Sequence, residues 1–462
     1  MMLGFESVSE FTVYITFIFF GMSAVVVTTS IFSIPFFFIE YYKYAQGDPN
    51  AEAEDQRFWN NVFTYYNATT FLVEFLLTLF MLTNLGRRIP LAVRLGAGLI
   101  LSILAVFVVI MVTIIKTTET GAKVTIMLVG VINGVAATLC DTGNGALISP
   151  FPTKFFSAVV WGVAVCGIIT SFFSIVIKAS MESNYESMLT QSRIFFGLVV
   201  LLEVVSCILL VLLRKNPYAM KYAAEFRYAA RERTNACENK ESGASNGPAE
   251  QDEDSVAIDN NTTKGNVMTV TVDPDTMKDT DQVEDITNSQ QMLKAKVSVV
   301  LKRVWPMLAA GFLAFSTTFL VYPGVFFAVK TDVPNGWYMT ITAAMFHFGD
   351  FLSRLLLQFK RLQPSPRYVV VGTFARVFLI IPLVFCVRGI IGGTLLPYIL
   401  SFLWGLTYGY FGGMALIHTP RTGSLTAAGE RSLAANCAVI AILCGLFSGS
   451  MLALAVKEGL PQ

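Results

Sequence analysis

Phe346-His347-Phe348-Gly349-Asp350-Phe351-Leu352-Ser353-Arg354-Leu355 lies in the middle of an apolar run from about 337 to 359. That run is long enough to cross a bilayer as a helix, at roughly 20 residues per crossing. Inside it an acid and a base stand four residues apart. Residues at i and i+4 share a helix face, so Asp350 and Arg354 can pair. An ion at membrane depth costs at least ~2.5–3.5 kcal/mol even on the lenient insertion scale. Pairing lowers that cost without abolishing it, since both groups remain desolvated. Two readings stay open: the pair locks helices together, or it faces a polar cavity and meets what crosses the membrane.

The rest of the chain agrees with a membrane setting. Hydrophobic residues make up 54% and charged residues 14% of it, where a soluble chain carries roughly 25% charge. Mean hydropathy is +0.60. A net charge of +1 gives no electrostatic case for nucleic acid as a partner. Of the seven cysteines, Cys140, Cys166, Cys207, Cys386, Cys437 and Cys444 fall in apolar runs and Cys237 in a polar one. Their spacing fits no metal site, and no disulfide framework is expected. Gly121-Ala122-Lys123-Val124 lacks the first glycine and the Ser/Thr of a phosphate-binding loop. Nothing points to an enzyme or a bound cofactor, so transport, if that is the function, is passive or ion-coupled.

Apolar runs recur at about 11–34, 61–84, 91–115, 124–148, 155–178 and 193–213, and again at 298–329, 337–359, 367–388, 391–417 and 433–456. They are numbered below as spans one to eleven. Span one is too long for a signal peptide and lacks a basic flank before it. Between spans six and seven the chain is polar, with acidic clusters such as Glu250-Gln251-Asp252-Glu253-Asp254, and cannot bury enough apolar surface to fold alone. The expectation is an all-α polytopic membrane protein with eleven crossings in a 6+5 arrangement. An N-terminal bundle covers 1–213, a disordered linker 214–297, and a C-terminal bundle 298–462. Arg87, Arg88, Arg94, Lys154, Arg214, Lys215, Lys221, Arg227, Lys360, Arg361, Arg367, Arg421 and Arg431 cluster after the even-numbered spans. Positive charge favours the cytoplasmic side, which places the N-terminus and linker inside and the C-terminus outside. The sequons at Asn260 and Asn261 then lie on the cytoplasmic side, and that at Asn67 inside a span, so none is expected to carry glycan.

Polar residues within spans are the candidates for function. In span four, Asn133, Ala137 and Asp141 are spaced by four and Asn144 follows, forming a stripe on one helix face. Asn133 and Asp141 are ~12 Å apart along the axis, so the stripe either lines a pathway or bridges neighbouring helices. An intramembrane acid is a functional-site hypothesis by default, and Asp141 is the leading one. Its alternative is a hydrogen bond to a neighbouring helix. Glu74 in span two reads equally as structural pairing or function, and Glu203 in span six as structural. His347 lies three residues before Asp350 on the same side of its helix. It reads as a packing residue or a cavity residue able to link to protons. Gly405-Leu406-Thr407-Tyr408-Gly409 and Gly445-Leu446-Phe447-Ser448-Gly449 allow close helix contact. Most phenylalanines of span one are packing residues, though Phe20 can stack on a planar ligand.

Four stretches together resemble the equilibrative nucleoside transporter family, and within it the purine nucleoside and nucleobase transporters of kinetoplastid parasites. They are Phe348-Gly349-Asp350-Phe351-Leu352-Ser353-Arg354 in span eight, Arg88-Ile89-Pro90-Leu91-Ala92-Val93-Arg94 after span two, Ile132-Asn133 with Cys140-Asp141 in span four, and Gly405-Leu406-Thr407-Tyr408-Gly409-Tyr410 in span ten. The resemblance covers nearly the whole chain except the linker. It implies a major-facilitator-like fold one span short, working by alternating access in the plasma membrane. It also implies a purine nucleoside substrate and proton symport, with Asp141, His347 or Glu74 as proton carrier. By the resemblance, Asp350 and Arg354 meet the ribose hydroxyls. The family's glutamine in span four corresponds to Cys140, with Asp141 beside it; an ionised Asp141 only accepts, which suits a purine N–H. The family's Trp-Asn in span one is replaced by Thr28-Thr29, and its asparagine in span eight by His347. The base is expected among Asp141, Cys140, Phe20, Phe71 and His347, with Asn133, Asn144, Ser316 and Thr317 near it.

Overall fold

The computed structural model describes residues 5, 7–87, 89–148, 150–223, 296–425 and 428–458. Most of the expected linker, with Cys237, both cytoplasmic sequons and the Glu250–Asp254 cluster, lies outside the described residues, as does Arg88.

Each apolar run folds as helix. Eight helices among the described residues are long and apolar enough to cross a membrane, or nine counting one bent pair. Spans two (Val62–Met81) and eight (Trp337–Leu356) are helices of 20 residues each that fall short of that apolarity. They carry Glu74, Asn67, His347, Asp350 and Arg354, five of the polar residues of the interior. The other spans are Leu91–Ile115, Glu119–Ile148, Thr153–Ala179 and Tyr185–Leu213 in the first half. In the second half they are Val297–Val321, Leu395–Thr407 with Gly413–His418, and Ala428–Glu458.

Several spans depart from straight rods. Span one breaks between Val8–Ser23 and Val26–Ser33 and bends by 57°. Span nine runs Pro366–Ala375, turns through a tighter stretch at Arg376–Leu379, and continues as Ile380–Val387. Span ten widens into a five-residue π-turn at Tyr408–Gly412, a feature often found at functional sites. Span six begins at Tyr185, eight residues before its apolar run, because the Asn184 side chain caps the helix by accepting from the Ser187 amide.

Close backbone approach sets the contact between spans eight and ten. A Cβ on Gly405 would stand 3.1 Å from the Asp350 amide nitrogen, and one on Gly409 would meet Asp350 Oδ1. Gly445 and Gly449 let span eleven approach Phe312 and Ser316 of span seven in the same manner. Both glycine pairs therefore serve the close packing their spacing suggested.

The two ends of the molecule are distinct. At one end Glu10 bonds Lys154 and Tyr218, and Asn216 donates to the Ser9 carbonyl. The N-terminal segment and the chain after spans four and six thus share an end. At the other, Glu119 accepts from the amides of Glu54 (2.6 Å) and Asp55 (3.2 Å) and from Trp59 Nε1 (2.9 Å), and pairs with Lys123 at 3.1 Å. This carboxylate fixes the loop between spans one and two. The halves close on each other beside it through edge-to-face pairs, Phe32 with Tyr322 and Phe63 with Phe327.

Candidate functional site

Where the two halves face each other they line a partly open cavity of ≈ 330 Å³. That lies at the lower end of the ~300–1,000 Å³ of small-molecule sites. Its polar lining comes from both halves. Spans two and four contribute Glu74 and Asp141, and span eight contributes His347, Asp350 and Arg354. Thr28 and Thr29 line it from the second half of span one. The remaining walls are aromatic and aliphatic, with Phe71, Phe315, Phe319 and Tyr408 prominent.

The Asp350–Arg354 pair forms within one helix, with Arg354 Nε 3.1 Å from both carboxylate oxygens. Asp350 is 8% exposed, and that exposure is into the cavity. A two-oxygen grip on one guanidinium nitrogen leaves the terminal nitrogens available to a ligand. His347 stands one turn before, its Nδ1 2.8 Å from Ser171 Oγ of span five. Span five makes room for the ring at Gly167, where a Cβ would stand 2.9 Å from the imidazole.

Asp141 and Glu74 face the cavity from the opposite half, and no basic residue pairs with either among the described residues. Phe71 is also on the wall, edge-to-face with Phe319 at 4.8 Å. The cavity thus collects Asp350, Arg354, Asp141, His347, Phe71 and Glu74.

The remaining expected residues are placed elsewhere. Cys140 is 1% exposed and packs with Phe17, Leu95 and Leu99, because adjacent helix positions point about 100° apart. If Asp141 faces the cavity, Cys140 faces span three, where its Sγ would stand 2.6 Å from a Cβ on Gly98. Phe20, also 1% exposed, is in the same apolar cluster, edge-to-face with Phe17. Asn133 donates to Thr28 Oγ1 at 2.9 Å and Asn144 to the Phe20 carbonyl at 3.0 Å. The span-four stripe therefore divides: Asp141 lines the cavity, while both asparagines tie span four to span one. Ser316 faces Ser448 at 3.4 Å across the span seven–eleven contact. Thr317 donates to the carbonyl of Leu313 in its own helix at 2.7 Å.

Two further features of the site arise from packing between spans. Tyr322, Phe346 and Tyr408 form a continuous stack along the wall, with ring separations of 3.9 and 5.7 Å. Arg376 is buried behind it, donating to the carbonyls of Ala314 (2.8 Å) and Trp404 (3.3 Å) and lying over the Trp404 ring. A basic residue inside the apolar run 367–388 was a signal visible in the sequence. The stacking was not, since it depends on three separate spans.

This arrangement, an acid–base pair and two further acids around an aromatic-walled cavity between two helical halves, accompanies a family match. Residues 125–458 match the nucleoside transporter family model. The chain belongs to the nucleoside transporter family. It is 43% identical to Nucleoside transporter 2 of Leishmania donovani over 98% of this chain and 95% of that protein. It is 27% identical to Adenosine transporter 1 of Crithidia fasciculata over 96% and 93%. The fold is that of major-facilitator transporters. The D-xylose-proton symporter superposes with a TM-score of 0.54 at 13% identity, covering 96% of this chain and 89% of that one. The expected family and fold class are thereby shown.

Proposed function

We propose that this chain carries purine nucleosides across the plasma membrane by alternating access, with a proton as coupled ion. The observation that carries the reading is that one cavity opposes Asp350–Arg354 of the second half to Asp141 and Glu74 of the first. Neighbouring ribose hydroxyls donate and accept, and a carboxylate beside a guanidinium offers the complementary pair. The base lies toward Asp141, which accepts from a purine N–H, with Phe71 and the Tyr408 stack as its apolar faces. His347, on the same wall, stands within reach of the base. A relative named as an adenosine transporter supports a purine. Asp141, Glu74 and His347 are the candidate proton carriers, because each lines the cavity. The halves, 1–213 and 298–462, rock about this site, as in other two-bundle transporters. The N-terminus and the 214–297 linker are cytoplasmic and the C-terminus is extracellular.

Uptake of labelled adenosine in cells lacking their own purine transport tests the reading, with inosine, adenine and hypoxanthine as competitors. Saturable uptake blocked by inosine supports it; no purine uptake by protein at the cell surface removes it. Uptake that ignores a pH gradient and leaves the cytoplasm unacidified removes the proton. Two cavity acids with no basic partner also suit a small organic cation. Competition by choline or lysine rather than adenosine would favour that second reading.

A further inference from the structure

Glu203 lies outside the cavity lining, and the roles assigned above leave it unused. It is 1% exposed, and neither carboxylate oxygen has a hydrogen-bond partner among the described residues. The Ser23 hydroxyl stands beside it, yet its proton is committed: Ser23 Oγ donates to Ser206 Oγ at 2.9 Å, which donates to the Leu202 carbonyl at 3.1 Å. The relay runs away from Glu203. What remains open on Ser23 is a lone pair, and only the acid form of a carboxyl can donate to it.

Among the described residues no cation stands against this carboxyl. The titratable groups around it are the thiols of Cys140 from span four, Cys166 from span five and Cys207 from its own helix. Charged residues on the packed elements are engaged elsewhere. Lys154 holds Glu10, Lys178 donates to Thr340, and Arg94 of span three donates to the Gly86 and Ile89 carbonyls. A buried charge without a partner neutralises instead of persisting.

Its position links it to movement. Ser23 is the last residue before the break in span one, and the break residues Ala24 and Val25 line the cavity. Cys166 Sγ lies 3.2 Å from Thr29 Oγ1, which also lines it. The bend of span one is the wall between Glu203 and the cavity.

We propose that Glu203 is a proton-binding site separate from the cavity, holding its proton in this arrangement and releasing it to water when the span-one bend opens. By linkage, the arrangement that binds the proton more tightly is favoured as pH falls. Acidification therefore biases the bundles toward the present arrangement, and alkalinisation away from it. The proposal rests on the transporter reading only for what that movement accomplishes.

The test is infrared spectroscopy of the purified full-length protein in lipid nanodiscs, comparing wild type with Glu203→Gln, Asp141→Asn and Glu74→Gln. Glu203→Gln should remove one component of the protonated-carboxyl carbonyl stretch at neutral pH, a component that Asp141→Asn and Glu74→Gln leave in place. Uptake by Glu203→Gln, at matched surface level, should lose part of its pH dependence, because glutamine imitates the acid form permanently. A band unchanged by Glu203→Gln overturns the proposal. So does an unaltered pH profile, or failure of this neutral isostere to fold. The infrared result stands even if no purine is transported, which separates this proposal from the substrate reading.

Discussion

Arg354 Nε lies 3.1 Å from each carboxylate oxygen of Asp350, one helical turn away on the same face. The pair is thus set within span eight, and it borders the cavity without bridging the two halves. Of the two readings the sequence left open, this geometry favours a group that meets a ligand.

Removing either partner strands the other in a largely buried site, which costs ~3–5 kcal/mol where a buried pair is broken. Asp350→Asn is expected to abolish uptake. Arg354→Lys keeps the charge but loses the planar fork, and affinity is expected to fall about ten-fold. Both are read as uptake per molecule at the surface, with surface biotinylation as the control.

Asp141 and its neighbour Cys140 point about 100° apart around span four, one to the cavity and one to span three, which gives a contrast between adjacent residues. Asp141→Asn replaces a pure acceptor by a group that also donates. It is expected to change the ranking of inosine, adenosine and hypoxanthine as competitors. Cys140→Ala removes only packing against the Leu95–Leu99 cluster. It is expected to leave the ranking unchanged and to lower thermal stability slightly. Equal shifts in ranking from both would contradict the placement.

The contact between spans eight and ten has no room for a side chain at Gly405, where a Cβ would stand 3.1 Å from the Asp350 amide nitrogen. Gly405→Ala is expected to reduce surface level and transport together. Gly197→Ala, at a position with open space around it, serves as a control near wild type in both.

How legible the protein was depends on which forces decide each feature. The spans followed from apolar run length, since backbone groups in lipid must bond within a helix. The acid–base pair was legible because i,i+4 geometry is local. The cavity lining was only partly so. Helix periodicity put Asn133, Asp141 and Asn144 on one face, but a face is wider than a cavity wall, and the asparagines found partners on span one. Cys140 entered through a family position, while local rotation sends it toward span three. The break in span one, just after Gly21-Met22-Ser23, and the π-turn at Tyr408–Gly412 lie inside continuous apolar runs, and run length alone does not announce them.

Away from the cavity, Glu119 gathers Glu54, Asp55, Trp59 and Lys123 around one carboxylate. Hydrogen bonds to a charged group contribute ~1.5–3 kcal/mol each, so Glu119→Gln is expected to lower the melting temperature while the KM for nucleoside stays within two-fold (~0.4 kcal/mol). Asp55 is held below the usual carboxylate range by the Phe58 amide, then by Lys123. Its stabilising share is therefore present above its unfolded pKa of about 3.9 and is lost as pH falls through the lower folded value. Wild type and Asp55→Asn should differ at neutral pH and converge in strong acid.

The central claim, that Asp350 and Arg354 read the ribose, is tested most directly by comparing adenosine with 2′-deoxyadenosine and 3′-deoxyadenosine as inhibitors of labelled adenosine uptake. Loss of a hydrogen bond to a charged group, at ~1.5–3 kcal/mol, corresponds to a loss of affinity of about ten- to a hundred-fold. The account predicts a loss of that size for at least one deoxy compound, and a much smaller discrimination in whatever uptake Arg354→Lys retains. Equal inhibition by all three nucleosides in the wild-type protein would contradict it.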